Sequence, residues 1–337
     1  MAKSCVIDEH LLFSKADEVF ESMEYQKKRR VFNALDSFSG TFSNKGLVPS
    51  LNQNDTRVKI YWDNICDSTV VACDTSCTPA GTSTDGIDCQ EYTMTQCAQI
   101  DFSISTGDFE GLEGFKVLNE TLADEIIRGE ASLIESHVIP YLLNTIDASA
   151  GENKFTLDTT KTVTPTETTI PATQWNSQLL GYFRQVEDFN KYSNPRILSG
   201  SYALQSDVIN KEMGYGLDVE NRGYQALGMN FDVVNIAKVL STTDTYMLDA
   251  NRWRFASKHE YKNSAPSIAY PDGAAWSTWS IPSRFIPNLR IDMAHKIECE
   301  SEKNIRHYFR MRINYDMFEA PADLCDGTAS VLKFVCA

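Results

Sequence analysis

FKVLNETLADEIIRGEASLIESHVIPYLLNTID (Phe115–Asp147) carries the clearest periodicity in the chain, and the rest of the sequence is read outward from it. Leu118, Leu122, Ile126 and Leu133 fall on one stripe of a helix. Ile127, Ile134, Val138, Leu142 and Ile146 fall on a neighbouring one. Such drift belongs to a long helix whose burial partner changes along its length. Asp124, Glu125, Glu130 and Glu135 are expected on the opposite, solvated side. Pro140 removes a backbone donor and should kink the last third. At 1.5 Å per residue the helix would be roughly 45–50 Å long, several times the usual three turns. A helix of that length needs a surface completed by other elements or other subunits.

The segments before it read as helix, then hairpin. Residues 8–38 have helical spacing (Leu11, Leu12, Ala16, Val19, Phe20, Met23) around a basic run, Lys27-Lys28-Arg29-Arg30. That run is either a solvated helix face or a contact with nucleic acid or another protein. Arg57–Trp62 alternates and predicts a strand, and Tyr92–Ile104 predicts a returning one. After the long helix, the Thr-rich stretch 149–174 reads as a linker. A second helix is expected from Thr173 to Tyr192, with Trp175, Leu179, Leu180, Phe183, Val186 and Phe189 on one face. Short strands follow at 231–239, 245–249 and 251–255. Residues 263–288 read as loop, rich in Pro and carrying Trp276 and Trp279. Strands at 289–300, 305–318 and 331–336 close the chain.

Charge is uneven. The 337 residues hold 46 Asp+Glu against 31 Lys+Arg, a net charge of −15. Residues 61–170 hold nineteen acidic and four basic side chains, while the flanking thirds are nearly neutral. Phosphate binding needs Lys and Arg, so that third does not coat nucleic acid; it must face solvent, a basic partner or a cation. With 42% hydrophobic and 11% aromatic residues the chain can bury a substantial core. No apolar run is long enough for a membrane helix, and the first residues lack the apolar run of a secretion signal.

Five of nine cysteines lie within thirty-two residues: Cys66, Cys73, Cys77, Cys89 and Cys97. No C-x-x-C pair or nearby histidine supports zinc. Pairing after synthesis, lasting reduction and metal binding stay open, with disulfides favoured in a loop that lacks a core of its own. No phosphate-binding glycine loop, H-E-x-x-H or nucleophile elbow is present. His137, inside the long helix, reads as a packed or hydrogen-bonded residue rather than a catalytic one. No catalytic, cofactor-binding or metal-binding residue is singled out, and an enzyme is not expected.

The order of arm, hairpin, very long helix, mixed central region and returning strands resembles the major capsid proteins of tailed bacteriophages. The resemblance also rests on Thr245-Tyr-Met-Leu-Asp-Ala-Asn-Arg-Trp-Arg-Phe-Ala-Ser257 and on Arg312–Thr328 followed by Val331–Cys336. It implies an α+β, HK97-like capsid fold. The N-terminal arm would be 1–50 and the extended hairpin loop with its cysteine-rich tip 51–106. The peripheral domain with the spine helix would be 107–172, the axial domain 173–288, and the peripheral return strands 289–337. The function implied is a self-assembling icosahedral shell around double-stranded DNA, in the virion, assembled in the host cytoplasm. Its partners would be further copies in hexamers and pentamers, with scaffold, portal or decoration proteins besides, and no membrane. No Lys–Asn crosslinking pair is identified. Lys27, Lys28, Arg29 and Arg30 would contact the acidic third of a neighbour. The alternatives are a double-jelly-roll coat, which has no place for a thirty-residue helix, and a soluble binding or carbohydrate-recognition protein using the Trp276/Trp279 loop.

Overall fold

In a computed structural model, the structure describes residues 16, 47–49, 57–63, 87–105, 111–175, 179–199, 223–226, 229–233, 244–258, 268–269, 275–286, 289–299, 305–321 and 328–337. The chain is mixed α+β. The expected helix at 8–38 and the Lys27–Arg30 run lie outside these residues.

The apolar stripes of the opening segment form as read. Helix α1 (Gly111–Leu133), a π-helical turn (Ile134–Val138) and helix α2 (Ile139–Ala148) run without interruption. All nine stripe residues are buried. Each such side chain contributes about 1.5–3 kcal/mol by leaving water. The π turn is where Pro140 acts. Pro140 cannot donate, and in a regular α-helix its ring would meet the carbonyl four residues back. The widened turn, with the Ile139 N–H reaching the Ile134 carbonyl, takes up that misfit immediately before the proline.

The hairpin forms with a different partner from the one expected. Strand β1 (Leu47–Pro49), β2 (Arg57–Asp63) and β3 (Ile87–Thr93) make a three-stranded antiparallel sheet, with Arg57 opposite Thr93 and Asp63 opposite Ile87. The single strand expected over 92–104 is two. Strand β4 (Gln96–Ser105) leaves the hairpin and pairs along ten residues with β15 (Ile305–Glu319). The break falls at Met94 and Thr95. Met94 is buried with Val58, Ile60, Trp62 and Phe318, while the Thr95 amide donates to Asp316 Oδ2 at 2.8 Å.

Two larger sheets follow. Strands β5 (Thr162–Val163), β6 (Thr168–Ile170), β7 (Pro195–Ser199), β8 (Gly223–Ala226), β9 (Met229–Val233), β10 (Asp244–Asp249) and β16 (Val331–Cys336) form one, in the order β5-β6-β16-β10-β7-β9-β8. Helix α3 (Leu179–Phe189) packs Phe183 and Val186 against it beside Phe334. The Thr-rich segment is therefore no linker. It enters this sheet through β6, parallel to β16, and Ala172 and Ala337 exchange backbone bonds with each other's segment. The sheet draws on residues 162–336, so it takes strands from both sides of the expected boundary at 288–289.

The other sheet joins β11 (Trp253–Ser257), β15, β14 (Arg290–Cys299), β13 (Ala275–Pro282) and β12 (Ile268–Ala269), with β4 also on β15. The supposed loop 263–288 thus contains β13, which pairs Trp279 with Met293. This sheet shares one core with the long helix, including Phe309, Met311 and Ile313. The closest approach is at Gly129. A Cβ there would sit 3.0 Å from Met311 Sδ and 3.6 Å from Ile100 Cγ2.

A direct prediction follows from that crossing. Gly129→Ala is expected to be absorbed, because only the end of a flexible methionine must shift and alanine favours the helix by about 1 kcal/mol. Gly129→Val overfills the gap and should lower stability by about 1–3 kcal/mol in urea denaturation. Equal midpoints for the valine variant and the parent would remove the close-approach reading.

Candidate functional site

Three clusters of polar side chains tie the long helix to its neighbours, and a fourth joins segments away from it. The first cluster centres on Glu130, which the periodic reading set on the solvated side. Glu130 is fully buried. It stands four residues from Ile126 and from Ile134, inside an i, i+4 row of apolar residues, and that spacing is the signal that could have found it. Its carboxylate accepts from Ser283 Oγ at 2.7 Å, the Arg284 amide at 2.6 Å and Arg284 Nη1 at 3.4 Å. Ser283 Oγ in turn accepts from the Phe285 and Ile286 amides. Burial pushes the Glu130 carboxyl above the usual range, opposed by the Arg284 charge and the hydrogen bonds.

A second cluster centres on Asp316 of β15. It accepts from Tyr141 of α2, from both the amide and the hydroxyl of Thr95, and from the Met317 amide. One carboxylate therefore fixes the helix, the exit from the hairpin and the longest strand. Burial, then the neighbouring Asp316, pushes the Tyr141 hydroxyl up to about 12. The third cluster lies at the end of α2. Asp147 Oδ1 accepts from Tyr246 OH and from Lys333 Nζ, each at 2.8 Å, and Lys333 also reaches Asp244 at 3.2 Å. Burial alone would raise Asp147, but the Lys333 and Tyr246 hydrogen bonds more than offset it and hold it below the usual carboxylate range. Tyr246 and Lys333 belong to β10 and β16, so this cluster ties the helix to the second sheet.

A fourth carboxylate, Asp249, accepts from the backbone of Ser193, Asn194 and Asn251. Its neighbour Arg252 bonds the carbonyl and hydroxyl of Thr328. In each cluster the carboxylate is met by donors from distant parts of the chain. What these groups do is join elements, since each hydrogen bond to a charged partner contributes about 1.5–3 kcal/mol when its alternative is an unpaired buried charge.

The residues singled out from sequence fall elsewhere. Cys89 and Cys97 are exposed free thiols, on β3 opposite Tyr61 and on β4 opposite Asn314. They stand in two different sheets, and Arg312 Nε lies 3.1 Å from Cys97 Sγ. Cys66, Cys73 and Cys77 lie outside the described residues, as do Lys27, Lys28, Arg29 and Arg30. His137 is exposed, not packed, because the π turn presents it and Glu135 to solvent. Trp276 is only 8% exposed, with Arg310 and Lys296 over its ring, so it offers no open aromatic platform. No group of three or more potential metal ligands occurs among the described residues. None of the described helices is long and apolar enough to cross a membrane.

No family model matches the sequence, and no curated protein does. Solved structures similar to the chain include the cyanophage A-1(L) capsid asymmetric unit, at a TM-score of 0.48 and 10% identity over 88% of this chain and 91% of that one. The asymmetric unit of the bacteriophage PhiM1 mature capsid gives 0.41 at 8% identity, covering 86% and 84%. The cyanophage Pam1 capsid asymmetric unit gives 0.40 at 9%, covering 88% and 91%.

Glu130 yields a pH prediction. Its folded carboxyl holds a proton more tightly than the unfolded one. Stability contributed by the protonated form should therefore fall as pH rises from about 4.5 through the raised folded value, then level off. Glu130→Gln should flatten that decline in urea titrations between pH 4.5 and 7.5. A decline identical to the parent's would assign it to other groups.

Proposed function

We propose that the chain is the structural subunit of an icosahedral viral capsid of HK97-like fold, self-assembling into a shell that encloses double-stranded DNA. The observation that supports this reading is the order of elements along the chain. A hairpin (β2–β3) passes directly into an edge of a long-stranded sheet. One uninterrupted helix run of 38 residues, Gly111–Ala148, then packs on that sheet. A second sheet follows, and the chain returns to finish both. From the hairpin onward, that order agrees with the hairpin, spine helix, axial domain and return strands that the sequence resemblance implies. On this reading the division into arm 1–50, hairpin loop 51–106, peripheral domain 107–172 and 289–337, and axial domain 173–288 describes one subunit with two lobes. Strands cross that division in both directions: β5, β6 and β16 join the axial sheet from the peripheral segments, and β11, β12 and β13 join the other sheet from the axial segment.

Physical considerations agree. A hairpin stem of seven residues per strand buries Val58, Ile60 and Trp62 on one side and turns Arg57, Lys59 and Tyr61 outward. Its outer face gains burial only from neighbours, as inter-subunit contacts provide. The acidic third suits enclosing DNA rather than coating it by phosphate neutralisation. A double-jelly-roll coat is disfavoured by the long helix. The carbohydrate-recognition reading loses its aromatic loop to strand β13.

Negative-stain electron microscopy of the expressed full chain is expected to show closed, symmetric shells. A monodisperse monomer at high concentration would overturn the proposal. Replacing Lys27, Lys28, Arg29 and Arg30 with Glu should abolish shells while leaving the circular dichroism and melting of the monomer unchanged. Intact shells from that variant would remove the inter-subunit role of the run. Some of Cys66, Cys73, Cys77, Cys89 and Cys97 are proposed to pair within or between hairpins in the mature particle. Higher-mass bands on non-reducing gels that collapse on reduction are expected for pairs between chains, and identical gels would exclude those; pairs within a chain are read by mass-spectrometric mapping, and fully reduced cysteines there would exclude them.

A further inference from the structure

Two imidazoles stand side by side in the core-facing layer of the six-stranded sheet, and none of the polar clusters above uses them. His295 on β14 and His307 on β15 are 6% and 1% exposed. Their rings are stacked 6° from parallel with centroids 5.3 Å apart, and His295 Nε2 lies 3.0 Å from His307 Nδ1. At that distance one nitrogen donates and the other accepts, so at least one ring is neutral. His307 Nε2 is buried and has no hydrogen-bond partner among the described residues.

Among the described residues, the surroundings offer a second proton no compensation. His295 pairs across the strands with Phe309 and with Ser277, and Phe309 stacks on it at 4.6 Å. Trp279 of β13 meets the same ring edge-on. His307 pairs with Ile297 and Ile104, and Phe102 of β4 stacks on Phe309. From the long helix, the core contributes Leu118, Leu122 and Ile126, all apolar. The helix acids Asp124 and Glu125 are engaged with Arg128 at its partly exposed side. Lys296, Arg306 and Arg310 occupy the alternate strand positions and so belong to the opposite face of the sheet.

We propose that the His295–His307 pair is an acid-sensitive latch: it holds the β14–β15 end of the sheet against the long helix while neutral, and breaks that packing when both rings are protonated. Two facing N–H groups and two like charges would then share an apolar layer, which the sheet can relieve only by opening. The direction of titration agrees. Burial, then the charge on His307, hold His295 below the usual histidine range, and burial does the same to His307. For groups so depressed, the stability is fully present above about 6.5 and is lost as pH falls through the folded values.

The test uses the unassembled full chain, so its result does not depend on the shell reading. Urea denaturation is measured from pH 7.5 to 5.0 for the parent and for the double variant His295→Phe/His307→Leu. Each proton that the unfolded chain takes up and the fold refuses raises the unfolding constant about tenfold per pH unit. The parent's unfolding constant is therefore expected to rise at least tenfold more than the variant's between pH 6.5 and 5.0. Superimposable pH profiles would overturn the latch. A second measurement on the parent stands even if the variant does not fold. Deuterium exchange at the imidazole C2 position, read by mass spectrometry, should show at least one of the two rings titrating below the usual histidine range, and two rings that both titrate as ordinary imidazoles would also overturn it.

Discussion

The whole arrangement depends on burying one face of a 38-residue helix run against a sheet assembled from distant strands. The helix alone cannot be stable at that length without such a surface, since isolated helices in water are marginal and draw their stability from packing. The surface comes from β4, just before the helix in sequence, and from β13, β14 and β15, some 150 residues after it. Gly129 sets how closely the two approach, with Met311 and Ile100 filling the space a side chain would take. Loop closure over that separation is costly, and it is repaid only when the long antiparallel register of β14, β15 and β4 zips together. Local propensity and long-range pairing therefore have to agree for either to form.

Around that packing, polar clusters act as fasteners at three points along the helix. Glu130 fixes the turn after β13, Tyr141 reaches Asp316 at the hairpin exit, and Asp147 meets Lys333 and Tyr246 of the second sheet. Each fastener joins the helix to a different neighbour. Burial of an ionised group costs several kcal/mol unless it is matched, so breaking one partner is expected to cost more than the pair contributes net. That asymmetry favours a single arrangement of helix and sheets over alternatives in which a carboxylate loses its donors.

Long regular elements were legible from sequence because their signal is local. The stripes from Leu118 to Ile146, the alternation of Arg57–Trp62 and that of Ile305–Phe318 reappear as buried faces and strands. What could not be read was set by partners far away. Tyr92–Ile104 alternates without a gap, yet Asp316 captures Thr95 and splits it into strands of two different sheets. Thr168–Ile170 looks like linker because its apolar content is low, and it becomes a strand only beside β16 at the end of the chain. Trp276 and Trp279 suggested a binding loop among prolines, and cross-strand pairing with β14 turned them into sheet. Glu130 was misplaced by treating charge as a sign of exposure; its position within an apolar row carried the better information.

The acidic third of the sequence also changes meaning once the fold is known. Glu130 and Asp147 meet Arg284 and Lys333, and Asp101 meets Arg310 at 2.9 Å, so carboxylates from residues 61–170 take their cations from the C-terminal third. Glu91 pairs with Arg57 of the neighbouring strand, and Asp158 with Lys161. A surplus that in sequence called for solvent, a basic partner or a cation is in part satisfied within the chain, between segments nearly neutral and segments strongly negative. Charge segregation along the chain thus serves the fold: it places acids of the hairpin and helix against cations of the strands that cover them. The remainder is carried by exposed acids such as Glu120 and Glu135 on the helix.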